Sequence, residues 1–341
     1  MEIYPFNDAF VAAWTRWDAA HYVLIAENGY LSPTETASRL QFVSRFPPLF
    51  PFATAFIRFV TPLSTAASGI LLSMTFLFLS SVLVFRICLT HFKSTESSYW
   101  SVLFLNVFPT SYFASAPYSE AMFLFLLALY FFLVLESRSI VGPSLVFAAL
   151  NLTRSIGLVL FPVHLYLFLQ AKRKDLRAWS GLLLPGLVFL GHLTFIHLWL
   201  GMPGYLEATD PFSVQVLSRW PFSETAGAIS YFIDHPGLVR TPDFMYGVGY
   251  NALFIVLGTG LTVYGLKKLD RMLNIFSAAY LLFLSTVGVM ISGPRFLFVH
   301  LPLFLILAQI PARWLKAAIA FCSLVALLVF SSRFVSGSWT F

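Results

Sequence analysis

Five clusters of polar, aromatic or proline residues interrupt an otherwise apolar chain, and four of them carry groups that could do chemistry. The first reads Trp14-Thr-Arg16-Trp17-Asp18-Ala-Ala-His21-Tyr22. On a helix, Asp18 shares a face with His21 three residues on and Tyr22 four residues on. A carboxylate there can take the proton of an attacking hydroxyl, and the neighbouring rings offer faces on which a sugar stacks. The other reading of Asp18 is a surface acid paired with Arg16 or His21 near lipid headgroups. The second cluster, Phe46-Pro-Pro-Leu-Phe-Pro51, reads as scaffold, because its prolines cannot continue a helix and hold the chain on a fixed path.

The third cluster, Pro117-Tyr118-Ser119-Glu120, opens a long apolar run. Glu120 either complements a helix dipole, with Ser119 or Tyr118 as cap, or it accepts from a sugar hydroxyl or orients an arginine. The fourth is Asn151-Leu-Thr-Arg154-Ser-Ile-Gly157. The fifth is Gly293-Pro-Arg295-Phe296, followed by His300-Leu-Pro-Leu-Phe304. A guanidinium grips a phosphate bidentately and stabilises charge that builds on it, and a nearby glycine lets a ligand approach closely. The alternative for Arg154 and Arg295 is snorkelling to lipid phosphates. Arg219 and Arg240 are secondary candidates of the same kind.

The elements that must hold these residues are membrane helices. The chain has 341 residues, 58% hydrophobic and only 11% charged, with a mean hydropathy of +0.81. That composition excludes a soluble globular enzyme and a disordered chain. Candidate spans fall at 65–90, 98–113, 119–136, 139–153, 156–171, 178–200, 247–266, 273–291, 296–311 and 315–332. A crossing needs about 20 apolar residues, so 139–153 and 156–171 read as a hairpin of short helices. The predicted fold class is an all-α polytopic membrane protein of about ten transmembrane helices, a single domain over 1–341. Residues 1–64 form a first outer loop with interfacial helices, including the apolar stretch 48–63, and 201–246 form a second outer loop.

Sidedness follows from charge. Lys172, Arg173, Lys174, Arg177, Lys267, Lys268, Arg271, Arg313 and Lys316 sit in short connections that the positive-inside rule places in the cytoplasm. Only Glu96, Glu136, Asp175 and Asp270 among the acids share that side. The other acids, the long loops and most prolines gather on the outer face. No signal-peptide pattern stands at Met1. Either the first span exports the tail, or the true start lies upstream and adds a span.

Several functions are disfavoured. The net charge of +6 is scattered between apolar runs, which is how topology is written and not a nucleic-acid-binding stripe. Cys88 and Cys322 form no disulfide framework or metal spacing. His192 and His197 are five apart, off one helical face, and His164 reads as an interhelical hydrogen-bonding group. The outer carboxylates could hold a divalent ion, but no ligand spacing supports one, so no cofactor is assigned. A lipid or solute transporter would carry its charges near the bilayer midplane, against the one-sided distribution here.

Taken in this order, the tryptophan-aspartate stretch, the Pro-Leu-Phe-Pro element, the Tyr-Ser-Glu element, Arg154, Arg295 and the terminal Ser338-Trp339-Thr340-Phe341 resemble the GPI mannosyltransferase II (PIG-V type) family. That family is a branch of the GT-C membrane glycosyltransferases. The chain's length favours a prokaryotic member. The resemblance implies a GT-C-like fold and inverting transfer of mannose from a polyprenyl-phosphate donor, such as dolichol- or undecaprenyl-phosphate mannose. The implied acceptor is a lipid-linked or cell-surface glycan, and the implied site is on the outer or lumenal face. The membrane is the cell membrane for a prokaryotic chain or the endoplasmic reticulum for a eukaryotic one. On this reading Asp18 is the base, Arg154 and Arg295 bind the donor phosphate, and Trp17, His21, Tyr22, Tyr118 and Glu120 shape the sugar site. Glucose or a pentose is the alternative sugar.

Overall fold

The computed structural model describes residues 9–30, 46–136, 140–171, 175–199, 220–237, 249–286 and 292–338. Among the described residues every regular element is helical. In chain order these are α1 (Ala9–Trp14), α2 (Asp18–Asn28), α3 (Leu49–Val60), α4 (Thr65–Phe92), α5 (Thr95–Asn106), α6 (Glu120–Glu136), α7 (Val141–Asn151), α8 (Phe161–Gln170), α9 (Leu176–Thr194), α10 (Ser223–Asp234), α11 (Tyr250–Gly265), α12 (Arg271–Thr286), α13 (Gly293–Phe298), α14 (Pro302–Ala308) and α15 (Arg313–Val335). Short 3-10 turns occupy Ser111–Ser115 and Ser155–Leu160. The chain is an all-α membrane protein.

Among the described residues three helices are long and apolar enough to cross a bilayer alone: Thr65–Phe92, Leu176–Leu198 and Arg313–Val335. α4 has 28 residues, about 42 Å at 1.5 Å per residue, against a hydrocarbon core of about 30 Å. Three of its hydroxyls bond back to carbonyls one turn earlier, Thr75 to Leu71, Ser80 to Phe76 and Ser81 to Leu77, which satisfies them within the helix. At other expected spans the helices are apolar but shorter, such as Tyr250–Gly265 and Arg271–Thr286. The expected span 98–113 stops at Asn106, because Pro109 lies just beyond and disfavours helical backbone ahead of it. The expected span 296–311 is two short helices, α13 and α14. Pro302 has no N–H with which to continue a helix, and the chain turns at Val299–Leu301. The expected hairpin 139–153/156–171 is present as α7, a 3-10 turn and α8. The last residues of the span 273–291, most of the loop 201–246 and Trp339-Thr340-Phe341 lie outside the described residues.

The described residues fall into two compact units, Met1–Leu83 with Phe113–Ala208, and Val84–Tyr112 with Thr209–Phe341. In the first unit α6 is apolar all round and buries Phe123, Leu124, Leu127, Tyr130 and Phe131, as a central helix must. It packs on α7, and α7 on α9. On the outside, α4 exposes Leu71, Met74 and Phe78, an i, i+3, i+7 stripe suited to lipid. In the same unit, His164 closes a polar network. Pro185 interrupts α9 and frees the carbonyl of Gly181 one turn earlier. The His164 Nε2 lies 3.1 Å from that carbonyl and 3.2 Å from Ser144 Oγ, while its Nδ1 lies 3.1 Å from the Tyr130 hydroxyl. The orphaned carbonyl assigns the Nε2–H tautomer, with Nδ1 accepting from Tyr130.

In the second unit α11 meets α13 and α14 through small residues. A Cβ on Gly258 would lie 2.8 Å from a Leu297 methyl, and one on Gly265 would overlap Ile306, so glycine is what permits this approach. At the basic end Arg313 grips Glu96 bidentately, Nε to Oε1 at 3.0 Å and Nη2 to Oε2 at 2.7 Å. The guanidinium and the Lys316 ammonium beside it hold the Glu96 carboxyl below the usual carboxylate range.

Candidate functional site

Four of the five clusters converge in the first unit. α2 carries Asp18 in its first turn, half-buried, where a negative charge complements the helix dipole. The residue before it, Trp17, has φ 53° and ψ −122°, a left-handed conformation that costs a bulky residue about 1–3 kcal/mol. Such strain persists only where neighbours impose it. Here the Tyr118 hydroxyl donates to the carbonyl of Arg16 at 2.7 Å. Trp17 itself is 43% exposed, the most open of the candidate aromatics. If the turn is held in this shape, Trp17→Gly is expected to be more stable than Trp17→Ala by about 1 kcal/mol, the reverse of the usual order. Thermal melts of the two purified variants check this, and an alanine variant at least as stable as the glycine one contradicts it.

The other side chains of α2 are held by the proline-rich element. His21, half-buried, stacks on Phe46 at 5.2 Å. Tyr22 is 4% exposed and meets Phe46, Phe50 and Tyr118 edge-on or tilted, at 4.9, 5.2 and 6.3 Å. The Tyr30 hydroxyl donates to the carbonyl of Phe46, and the Leu49 amide to the carbonyl of Leu152 at 2.9 Å. Residues 46–51 thus touch both α2 and, through Leu152, the turn that carries Arg154.

The Pro-Tyr-Ser-Glu element sits at the centre. α4 supports it from one face. A Cβ on Gly69 would come 2.7 Å from the Pro117 ring, and Ser73, one turn on, donates to the carbonyl of Tyr118 at 3.1 Å. Its three polar residues then reach three ways. Tyr118 holds Arg16. The Ser119 hydroxyl lies 2.6 Å from the Tyr22 hydroxyl and accepts from Arg154 Nη1 at 3.3 Å. Glu120, fully buried, pairs with the same Nη1 at 2.5 Å. Of the roles open to Glu120 from sequence, its pair with Arg154 fits the arginine orienter and its place in the first turn of α6 fits the dipole reading. Ser119 does not cap α6, because its hydroxyl is turned to Tyr22 and Arg154. Sequence reasoning missed Ser119 for that reason: a serine ahead of an acid at a helix start reads as a cap.

Arg154 precedes the 3-10 turn, with its side chain 13% exposed. Gly157 is required there, since a Cβ would lie 2.7 Å from Asn151 Oδ1. Arg295 belongs to the second unit. It lies on α13, 9% exposed, and the backbone around it is fixed by three side chains. Asn251 Oδ1 accepts from the Gly293 amide at 2.5 Å, Thr110 donates to the carbonyl of Pro294 at 2.9 Å, and Tyr280 donates to that of Phe296 at 2.7 Å. Trp17, Asp18, His21, Tyr22, Tyr118, Glu120 and Arg154 are therefore brought together in one unit, and Arg295 stands in the other. Among the described residues no group of three or more His, Cys, Asp or Glu side chains is arranged to hold a metal ion. Chemically, the first-unit cluster offers a half-buried carboxylate, an oriented guanidinium and aromatic faces.

A family model described as Mannosyltransferase (PIG-V) matches residues 3–179, a stretch that contains all four clusters of the first unit and ends before Arg295. GPI alpha-1,6-mannosyltransferase 2 of Cricetulus griseus is 34% identical over 125 residues. The protein of the same name from Rattus norvegicus is 29% identical over 124 residues. Each match covers 35% of this chain and 24% of the relative, so the matched stretch spans about a quarter of those curated proteins.

Proposed function

The chain belongs to the mannosyltransferase (PIG-V) family, and from that membership we propose that it is a membrane glycosyltransferase. It moves a hexose, mannose first, from a polyprenyl-phosphate donor to a hydroxyl of a lipid-linked or cell-surface glycan. The observation that carries the reading is the joining of Arg154, through Ser119, to the helix that bears Asp18. A base and a phosphate-binding cation held in one frame are what this transfer needs.

In the proposed reaction the acceptor oxygen attacks the anomeric carbon from the side opposite the phosphate. Asp18 takes the hydroxyl proton as the new C–O bond forms. The bond from the anomeric carbon to the phosphate oxygen breaks, and polyprenyl phosphate leaves with its electron pair. Arg154 stabilises the charge gathering on that phosphate, and Arg295 is a second candidate for the same role. The anomeric configuration inverts. Asp18 then returns its proton to solvent. The outer-face location rests on the charge distribution of the loops, and a lipid-borne donor suits a site at a membrane surface.

The experiment is a donor panel. Purified protein in liposomes is given radiolabelled polyprenyl-phosphate mannose, glucose or pentose, with a membrane-lipid extract as acceptor. Label is expected to move from the mannose donor to a new lipid or glycan product. Movement from the glucose or pentose donor alone replaces the sugar and keeps the class. Lipid flux without sugar turnover, with every donor inert, overturns the reading in favour of a transporter.

A further inference from the structure

We propose that Ser119 is a positioning residue for the transfer reaction: its hydroxyl ties Arg154 to helix α2 and so sets the placement of the phosphate-binding guanidinium relative to the base. The inference rests on the proposed function above and deepens it. Ser119 is fully buried, and its single oxygen lies 2.6 Å from the Tyr22 hydroxyl and 3.3 Å from Arg154 Nη1. Because Arg154 can only donate, Ser119 accepts there and completes the bridge with Tyr22, by giving or taking one proton.

The geometry makes the bridge consequential. Tyr22 is one helical turn from Asp18 on α2, so the two move as a rigid pair. Glu120, the next residue after Ser119, holds the same Nη1 at 2.5 Å. The tyrosine before it, Tyr118, holds the carbonyl of Arg16 on the other side of Asp18. Three consecutive residues thus fix the chain on both sides of the base and the cation together. The local rule that is broken points the same way. A serine directly ahead of α6 would ordinarily cap the helix, a contribution of about 1 kcal/mol. This one forgoes the cap, and departures of that kind concentrate where function needs a group elsewhere.

The test uses the full chain in liposomes with polyprenyl-phosphate mannose. Initial rates are measured for Ser119→Ala, Tyr22→Phe and Arg154→Lys, alone and paired, with thermal midpoints alongside. Ser119→Ala is expected to lower kcat/KM for the donor about tenfold or more, with the KM for the acceptor unmoved. On the Arg154→Lys background the same change is expected to cost less than about threefold, because coupled residues are not additive. Ser119→Thr, which keeps the hydroxyl, recovers donor kcat/KM. If Ser119→Ala fails to fold, Tyr22→Phe removes the same bridge from its other end and carries the test. A wild-type donor kcat/KM in a folded bridge variant overturns the inference, as does a loss that multiplies in full with that of Arg154→Lys. Wild-type protein inert with polyprenyl-phosphate mannose, and with the glucose and pentose donors of the panel above, defeats the underlying reading and the inference with it. Active wild type with an unaffected bridge variant defeats the inference alone.

Discussion

Replacing Arg154 with methionine is expected to cost about 3–5 kcal/mol of stability and to abolish measurable transfer, whereas Arg154→Met combined with Glu120→Leu is expected to regain most of the stability and none of the transfer. The reason lies in the burial of the pair. Glu120 has no exposed side-chain surface and Arg154 only 13%, so the single change strips the guanidinium from a carboxylate that water cannot reach. The double change replaces the buried pair with apolar groups of similar bulk, which is often neutral or stabilising. A purely structural pair predicts that the double variant works as well as it folds. Thermal melts and label transfer on the three proteins separate the two cases. A stable, active double variant removes Arg154 from the chemistry.

Asp18→Asn is expected to lower kcat by about 10²–10⁴-fold, the usual worth of a general base, with little change in thermal midpoint. The side chain is half-buried, not sealed, and asparagine keeps its shape. The amide cannot take the proton of the attacking hydroxyl, so the loss falls on chemistry and leaves donor binding near the wild-type level. A surface acid serving only to pair with Arg16 or His21 predicts a change in rate no larger than about threefold, the scale of an exposed ion pair.

Helical class was legible because long apolar runs leave few alternatives. The hairpin at 139–171 was legible for a local reason: Asn151-Leu-Thr-Arg154 is too polar to continue through a bilayer, and the structure turns there. Where a single proline decides, the reading was coarser. Pro302 divides the expected span 296–311 into α13 and α14, and Pro109 shortens the span before it.

For the site, the fold links some of the residues that the sequence singled out: Tyr22 meets Tyr118 and, through Ser119, Arg154, which pairs with Glu120, while Asp18 lies one helical turn from Tyr22 on α2. What residue spacing could not express is which partner each one takes. The Glu120–Arg154 pair bridges 34 positions and the Tyr22–Ser119 contact 97, distances at which helical periodicity carries no information. Ser119 was hidden by its own plausibility as a cap. Likewise, no propensity foretells a tryptophan at positive φ. That shape comes from the Tyr118 clamp on Arg16, a tertiary contact overriding a local preference.

The central claim is that Asp18 removes the acceptor proton during transfer from a lipid-phosphate sugar. The most direct measurement follows radiolabel from polyprenyl-phosphate mannose into product in liposomes, wild type beside Asp18→Asn, with donor binding measured on both. The account predicts product with the wild type, at least about a hundredfold less with the variant, and equal donor binding. Product formed at the wild-type rate by Asp18→Asn contradicts it.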